Sequence, residues 1–453
     1  MAGRRYDLVI VGAGSGNMIL TEEFRTWRVA VVESDKFGGT CLNRGCIPSK
    51  ILVFTADVAR TVQHAGEFGV NAEFLGANWP AIRDRVFGRI DPLHERAASY
   101  RETHGVDVFR GVASFSSPDT IVVDGTEISS DRFILATGSR PAVPAIAGLA
   151  EVPYLTSDTV MRLGALPESM LVLGGGYIAA EMSHVFGSLG TRVTIVTRGP
   201  QMLSQHDVDV RNKFTEIYAK QFDVRFGTTV RRIEATGTGV RAELAAASGA
   251  TLVDAEVVLV ATGRVPNSDR INVTAAGLRL DDHGHIRTDE TYATGVPGIW
   301  AFGDLANHFQ LKHMANAEAR LVRYNVLHPE NPRKLPFTIV PSAVFADPQV
   351  ASVGATEQSL QARGQPYVSA IRPYSDTAYG WALEDTTSFV KVLADPATRQ
   401  LLGAHLLGPQ AATLIQPLIQ AMCFGNTVDQ VATGVLYIHP ALTEVVEQAL
   451  LKL

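Results

Sequence analysis

Short apolar runs without polar alternation recur along the chain: Leu8-Val9-Ile10-Val11, Val29-Ala30-Val31-Val32, Phe133-Ile134-Leu135, Met170-Leu171-Val172-Leu173 and Val257-Val258-Leu259-Val260. Runs of this length and composition predict strands buried on both faces, as in a parallel sheet covered by helices. Residues 50–105 carry the longer apolar spacing of helices, beginning with Ile51, Leu52, Val53, Ala56 and Val58. After Pro336 the pattern changes. Strand-like Ser342-Ala343-Val344-Phe345 and Ser388-Phe389-Val390-Lys391-Val392-Leu393 are accompanied by two helical runs, which predicts a separate domain. No Ser/Gly-rich linker or low-complexity segment interrupts the chain.

Two of the apolar runs lead directly into glycines. Leu8–Val11 enters Gly12-Ala13-Gly14-Ser15-Gly16-Asn17 with the start of a helix, and the next strand ends at Glu33. This is a dinucleotide-binding pattern: glycines let the backbone approach a pyrophosphate at a helix N-terminus, and the acid accepts ribose hydroxyls. Asn17 stands at the sixth place, where a small residue is usual. Met170–Leu173 enters Gly174-Gly175-Gly176-Tyr177-Ile178-Ala179, which keeps the small sixth residue. Its next strand, 191–197, ends at Arg198, and a cation there suits the 2′-phosphate of NADP as an acid suits NAD. An ordinary surface arginine is the alternative. Each unit closes on the same triplet, Ala136-Thr137-Gly138 and Ala261-Thr262-Gly263. The repetition predicts an α/β protein with two Rossmann-like dinucleotide-binding domains. A further strand, Gly298-Ile299-Trp300-Ala301-Phe302, ends in Gly303-Asp304, an acid placed to meet a ligand hydroxyl or merely to close a turn.

A length of 453 residues allows two to four domains, and 46% hydrophobic with 19% charged residues describes a globular chain. The net charge of −6 offers no electrostatic case for nucleic acid or an anionic membrane. No apolar run is long enough to span a bilayer, and the N-terminal residues lead into a strand without a cleavable signal, so a cytoplasmic location is expected.

Three cysteines cannot build a disulfide framework, yet two of them stand close together in Gly38-Gly39-Thr40-Cys41-Leu42-Asn43-Arg44-Gly45-Cys46-Ile47-Pro48-Ser49-Lys50. They head the helical run that begins at Ile51, with Pro48 in an early turn. The positive end of a helix lowers a thiol pKa and favours the nucleophilic thiolate. No second pair completes a zinc site, so the cysteines point to catalysis and no metal is expected. Spacing alone leaves open an inert buried pair. Near the end stands His439-Pro440-Ala441-Leu442-Thr443-Glu444. A carboxylate five positions on can fix the imidazole tautomer and stabilise its charged form, although a structural histidine fits the spacing equally.

Taken together, these motifs resemble the flavoprotein (pyridine nucleotide-) disulfide reductases over the whole chain. Within that family Gly14–Asn17, Val86-Phe87-Gly88-Arg89-Ile90-Asp91-Pro92 and Ala378-Tyr379-Gly380-Trp381-Ala382-Leu383-Glu384-Asp385 are similar to segments of the mycothione reductases. The resemblance implies FAD held by Ser15, Gly16, Glu33, Thr40, Ala113 and Asp304, with position 49 or Lys50 near the flavin and paired to Glu181. It implies NADPH on Gly174, Gly176 and Arg198, with Tyr177 gating the nicotinamide pocket. Gly12, Gly14, Gly39, Thr137, Gly138, Gly263 and Gly303 complete the cofactor sites. By the same resemblance, residues 1–145 begin an FAD-binding domain that 266–335 complete, 146–265 bind NAD(P)H, and 336–453 form an α+β dimerisation domain. Reduced FAD would open a Cys41–Cys46 disulfide, Cys46 facing the flavin and Cys41 attacking a small-molecule disulfide. His439, with Glu444, would protonate the departing thiolate in a homodimer whose active sites are shared between chains. The implied substrate is mycothiol disulfide, with glutathione disulfide or lipoamide as alternatives, and a non-catalytic FAD-binding protein as the alternative of another class. Two positions depart from the pattern. Ser204 stands where glutathione reductase has a second phosphate-binding arginine, and Ala441 where the family usually has threonine.

Overall fold

The computed structural model describes residues 4–453. Its first sheet has five parallel strands in the order Ile299–Ala301, Phe133–Leu135, Leu8–Val11, Val29–Glu33 and Asp107–Arg110. Leu8–Val11 is central, with Ile10 paired to Val31 on one side and Ile134 on the other. It is buried along its length, which is why it is written as an unbroken apolar run. The second sheet, also parallel, runs Tyr154–Thr156, Val257–Val260, Ser169–Leu173, Arg192–Val196, Asp223–Arg225.

The two glycine turns occupy equivalent places. The Ala136 N–H donates to Val11 O at 2.8 Å, and the Ala261 N–H donates to Leu173 O at 2.8 Å. A Cβ on Gly12 would lie 2.3 Å from Ala136 O, and one on Gly174 would lie 2.2 Å from Ala261 O. Each unit therefore needs glycine where its turn meets the Ala-Thr-Gly carbonyl. Both glycines also take positive φ, +103° and +129°.

The expected helix after the first turn does not form. Two single 3₁₀ turns, Gly16–Met18 and Glu22–Phe24, replace it, because Thr21 between them is extended at φ −129°, ψ −178°. The close packing normally required at the sixth place falls on Gly16, whose Cβ would lie 3.0 Å from an Ile10 methyl. Asn17 is free to be polar and is held by Arg101, whose Nε donates to Asn17 Oδ1 at 2.7 Å.

Six longer or site-bearing helices are α1 (Gly39–Arg44), α2 (Cys46–His64), α3 (Trp79–Thr103), α4 (Tyr177–Ser188), α5 (Val208–Gln221) and α6 (Lys312–Leu327). Helix α2 packs on α4, fastened by His184 Nε2 and Asp57 Oδ1 at 2.8 Å. No helix among the described residues is long and apolar enough to cross a membrane.

The C-terminal sheet is antiparallel, ordered Ser342–Val344, Val350–Gly354, Leu401–Leu407, Phe389–Ala394, Val368–Pro373. The two expected helical runs are in fact several short helices. Gln416–Phe424 stops at Gly425, left-handed at φ +68°, and Val428–Thr433 starts on a Thr427–Gln430 capping box. Lys391, buried in this sheet, bonds Asp207 at 2.8 Å and so joins the sheet to the start of α5.

Candidate active site

The loop into α1 is shaped by Gly38 and Gly39, at φ +95° and +60°. The Asn43 amide ties it down by donating to Phe37 O at 2.9 Å and Gly39 O at 3.0 Å. A Cβ on Gly39 would lie 2.8 Å from Gly14 Cα, so this loop and the first glycine turn touch backbone to backbone.

The sequence pattern places both cysteines ahead of one helix. The structure instead puts Cys41 inside α1 and makes Cys46 the first residue of α2. Gly45 separates them at φ −139°, ψ −122°, and a Cβ there would lie 2.9 Å from Thr40 O. This break turns Cys41 back onto Cys46, and the two side chains hydrogen-bond. That bond is the main reason the Cys46 thiol is lowered to about 7; its own N–H at the helix terminus and Lys50 assist, against burial. The same bond and burial push Cys41 up. In the reduced protein the Cys46 thiolate should therefore be half formed near pH 7 and lost below it. Removing the bond with Cys41→Ala should move the midpoint toward the ordinary thiol value of about 8.5, read by ultraviolet thiolate absorbance. An unmoved midpoint would assign the effect to the helix terminus and Lys50 alone.

Both cysteines line a cavity of about 1300 Å³. Of the residues singled out in the sequence, Gly12, Gly14, Ser15, Glu33, Gly39, Thr40, Lys50, Ala113, Thr137, Gly138, Tyr177, Glu181, Gly303 and Asp304 also line it. Gly16 packs on Ile10 instead, and Gly174, Gly176, Arg198 and Gly263 lie outside the cavity at the second glycine turn and its neighbouring strand ends.

The cavity walls suit a large cofactor with polar groups. Glu33 Oε2 accepts the Ala13 N–H at 2.7 Å, which aims the carboxylate across the glycine turn. Asp304 Oδ2 accepts the Ser139 hydroxyl at 2.6 Å, and Ser139 Oγ in turn accepts from Arg264 Nε at 2.8 Å. Thr137 Oγ1 and Asn316 Oδ1 are buried on the cavity wall without partners among the described residues, polar atoms for which a ligand is the natural complement. Gly12 and Gly39 leave no room for a side chain where the backbone approaches. These residues fit FAD.

Of positions 49 and 50, the lysine reaches Glu181. Lys50 Nζ donates to Glu181 Oε1 at 3.2 Å and sits 3.4 Å above the Phe345 ring, while the Ser49 hydroxyl turns back to Cys46 O at 3.3 Å. The Phe345 N–H donates to the same Glu181 oxygen at 3.0 Å, so the pair is held from the C-terminal sheet as well. Burial lowers the Lys50 pKa.

Lys312 is a cavity residue that sequence reading passed over. It opens α6, and its Nζ donates to Ser15 Oγ at 2.8 Å. Its charge acts on both cysteines, lowering the Cys41 pKa against the larger effects of the bond and burial. A cation at a helix N-terminus opposes the helix dipole, and that conflict is the signal that marks it.

Arg198 is exposed just past Arg192–Val196, the counterpart of Glu33 at the end of Val29–Glu33. His439 Nδ1 meets Glu444 Oε1 at 2.8 Å, but neither residue lines the cavity. The His439 side chain is 72% exposed and Glu444 14%. One chain brings the two cysteines to the cavity and leaves the histidine on its surface.

The family model described as pyridine nucleotide-disulphide oxidoreductase matches residues 6–319, and that of its dimerisation domain matches residues 340–450. The chain is 43% identical over 459 aligned residues to a mycothione reductase of Mycobacterium tuberculosis, covering 99% of each. It is 34% identical to a dihydrolipoyl dehydrogenase of Halobacterium salinarum, covering 98% of this chain and 95% of the relative. Among solved structures, the Cu(II) complex of the HOCl-induced flavoprotein disulfide reductase RclA from Escherichia coli superposes with a TM-score of 0.87 at 25% identity over 99% of both chains.

Proposed function

Since the chain belongs to the pyridine nucleotide-disulphide oxidoreductase family, and is thereby a flavoprotein disulfide reductase, we propose that it reduces mycothiol disulfide with electrons from NADPH. The observation that carries the reading is the Cys41–Cys46 thiol pair opening on the same cavity as Glu33 and Asp304. Identity to a mycothione reductase along the full length supports the choice of disulfide. In this reading residues 1–145 with 266–335 hold FAD, 146–265 hold NADPH, and 336–453 join two chains.

Bound FAD supplies the two-electron step between the nicotinamide and the cysteine pair. The residues of the chain do the rest. Glu33 and Asp304 accept cofactor hydroxyls, and the Gly12–Gly14 backbone admits the pyrophosphate. Lys50, oriented by Glu181, and Lys312 set the positive charge of the cavity beside the cysteines. The raised pKa of Cys41 means that its thiol needs a base, which is the role proposed for His439 of the partner subunit, fixed by Glu444. Cys41 sulfur then attacks one substrate sulfur, forming a mixed disulfide and expelling a thiolate that takes the proton back from His439. The Cys46 thiolate attacks Cys41 sulfur, restoring the Cys41–Cys46 disulfide and releasing the second half of the substrate as a thiolate, which takes its proton from solvent.

Arg198→Ala should weaken kcat/KM for NADPH by about 1.5–3 kcal/mol, the scale of a charge-assisted hydrogen bond, and leave NADH nearly unchanged. Equal losses with both would remove Arg198 from cofactor choice. The substrate is tested by steady-state NADPH oxidation with mycothiol disulfide, glutathione disulfide and lipoamide in parallel. Mycothiol disulfide should give the highest kcat/KM. Faster turnover of either competitor would overturn the substrate and leave the reductase assignment intact.

A further inference from the structure

We propose that Asp281, His285 and His308 form a binding site for a divalent transition metal of the zinc class, separate from the redox cavity. No sequence motif announces it: the expectation of no metal rested on cysteine spacing, and these ligands come from two segments. Asp281 and His285 lie on a turn whose ends pair through Leu280 and Ile286, and His308 follows the short turn Gly303–Leu305. The Ile286 N–H donates to Leu305 O at 2.9 Å and fastens one segment to the other.

The donor atoms of the three residues lie within 4.8 Å of one another. His308 Nε2 is 3.0 Å from Asp281 Oδ2, and His285 Nδ1 is 3.4 Å from the same oxygen. Ligands bound to zinc at about 2.0–2.1 Å in a tetrahedron stand roughly 3.3 Å apart, so this spacing needs little adjustment to accept the ion. His285 is only 5% exposed, and neither of its ring nitrogens has a hydrogen-bond partner among the described residues. A buried imidazole nitrogen in that state has lost its water without replacement, and a metal bond would give one of the two nitrogens the partner it lacks.

Asp281 is prepared in the same sense. Its Oδ1 accepts the N–H groups of His283 and His285, each at 2.9 Å, which fixes the carboxylate and leaves Oδ2 for the ion. Two imidazoles and one carboxylate, with a fourth position open to water, suit zinc and its copper and nickel neighbours. Without metal, His308 and His285 both converge on Asp281 Oδ2, and the His285 Nε2 stays without a partner among the described residues. Since Phe309 to Lys312 line the cavity directly after His308, an ion here would clamp that wall to the 281–286 turn.

The test is equilibrium dialysis of zinc against the full-length, untagged, oxidised holoenzyme carrying Cys423→Ser, so that no free thiol competes. One zinc per chain should bind, and the exposed His308→Ala should weaken it at least ten-fold, with flavin absorbance unchanged as the check on folding. Asp281→Asn should weaken it similarly, and cobalt(II) should give the visible bands of tetrahedral coordination in the parent protein only. No bound zinc, or zinc held equally by the parent and both variants, would overturn the site.

Discussion

Replacing Cys46 by serine should abolish disulfide reduction, a loss of roughly 10³-fold or more, because the residue that resolves the mixed disulfide is gone. Cys41→Ser should also stop turnover, but by a different route. Cys46 would keep its place as the first residue of α2, with its N–H and Lys50 still favouring the thiolate, and a serine hydroxyl at position 41 can still donate to it. The Cys41→Ser protein should therefore show the long-wavelength absorption of a thiolate against oxidised flavin, and the Cys46→Ser protein should lack it. A reversed pattern would exchange the roles of the two sulfurs.

His439→Ala should lower kcat/KM by about 10²–10⁴-fold, the range for loss of a general acid–base group. The larger consequence concerns which chain supplies it. Within one chain His439 is exposed and off the cavity, while the dimerisation model matches residues 340–450, so a symmetric pair can bring each histidine to the other chain's cysteines. A heterodimer of a Cys41→Ser chain, inactive alone, with a His439→Ala chain, strongly impaired alone, then contains one site with both groups intact. Roughly half the wild-type rate per dimer should return. A verified heterodimer without activity would assign His439 to its own chain.

The strands around the glycine turns are readable from sequence because both of their faces are buried, so Leu8–Val11 and Met170–Leu173 contain no polar residue. The redox pair is readable for a similar reason: few residue types can do its chemistry, and they stand close together. The details that escape depend on backbone geometry and distant partners. Gly45 puts Cys41 into its own helix, and an extended Thr21 replaces a helix by 3₁₀ turns. Lys312 reaches Ser15 across 297 positions, and Ile299–Ala301 returns to the first sheet after the second has been completed. His285 and His308 meet only because Ile286 and Leu305 are bonded. No local pattern encodes such pairings.

The most direct measurement counts thiols. The oxidised protein should be mixed anaerobically with one equivalent of NADPH and no disulfide substrate, then unfolded and titrated with a thiol reagent. With three cysteines in the chain, the count should rise from one per chain, Cys423, to three as NADPH is consumed. A count that stays at one while NADPH is oxidised, or NADPH that is not oxidised at all, would contradict electron delivery to Cys41 and Cys46.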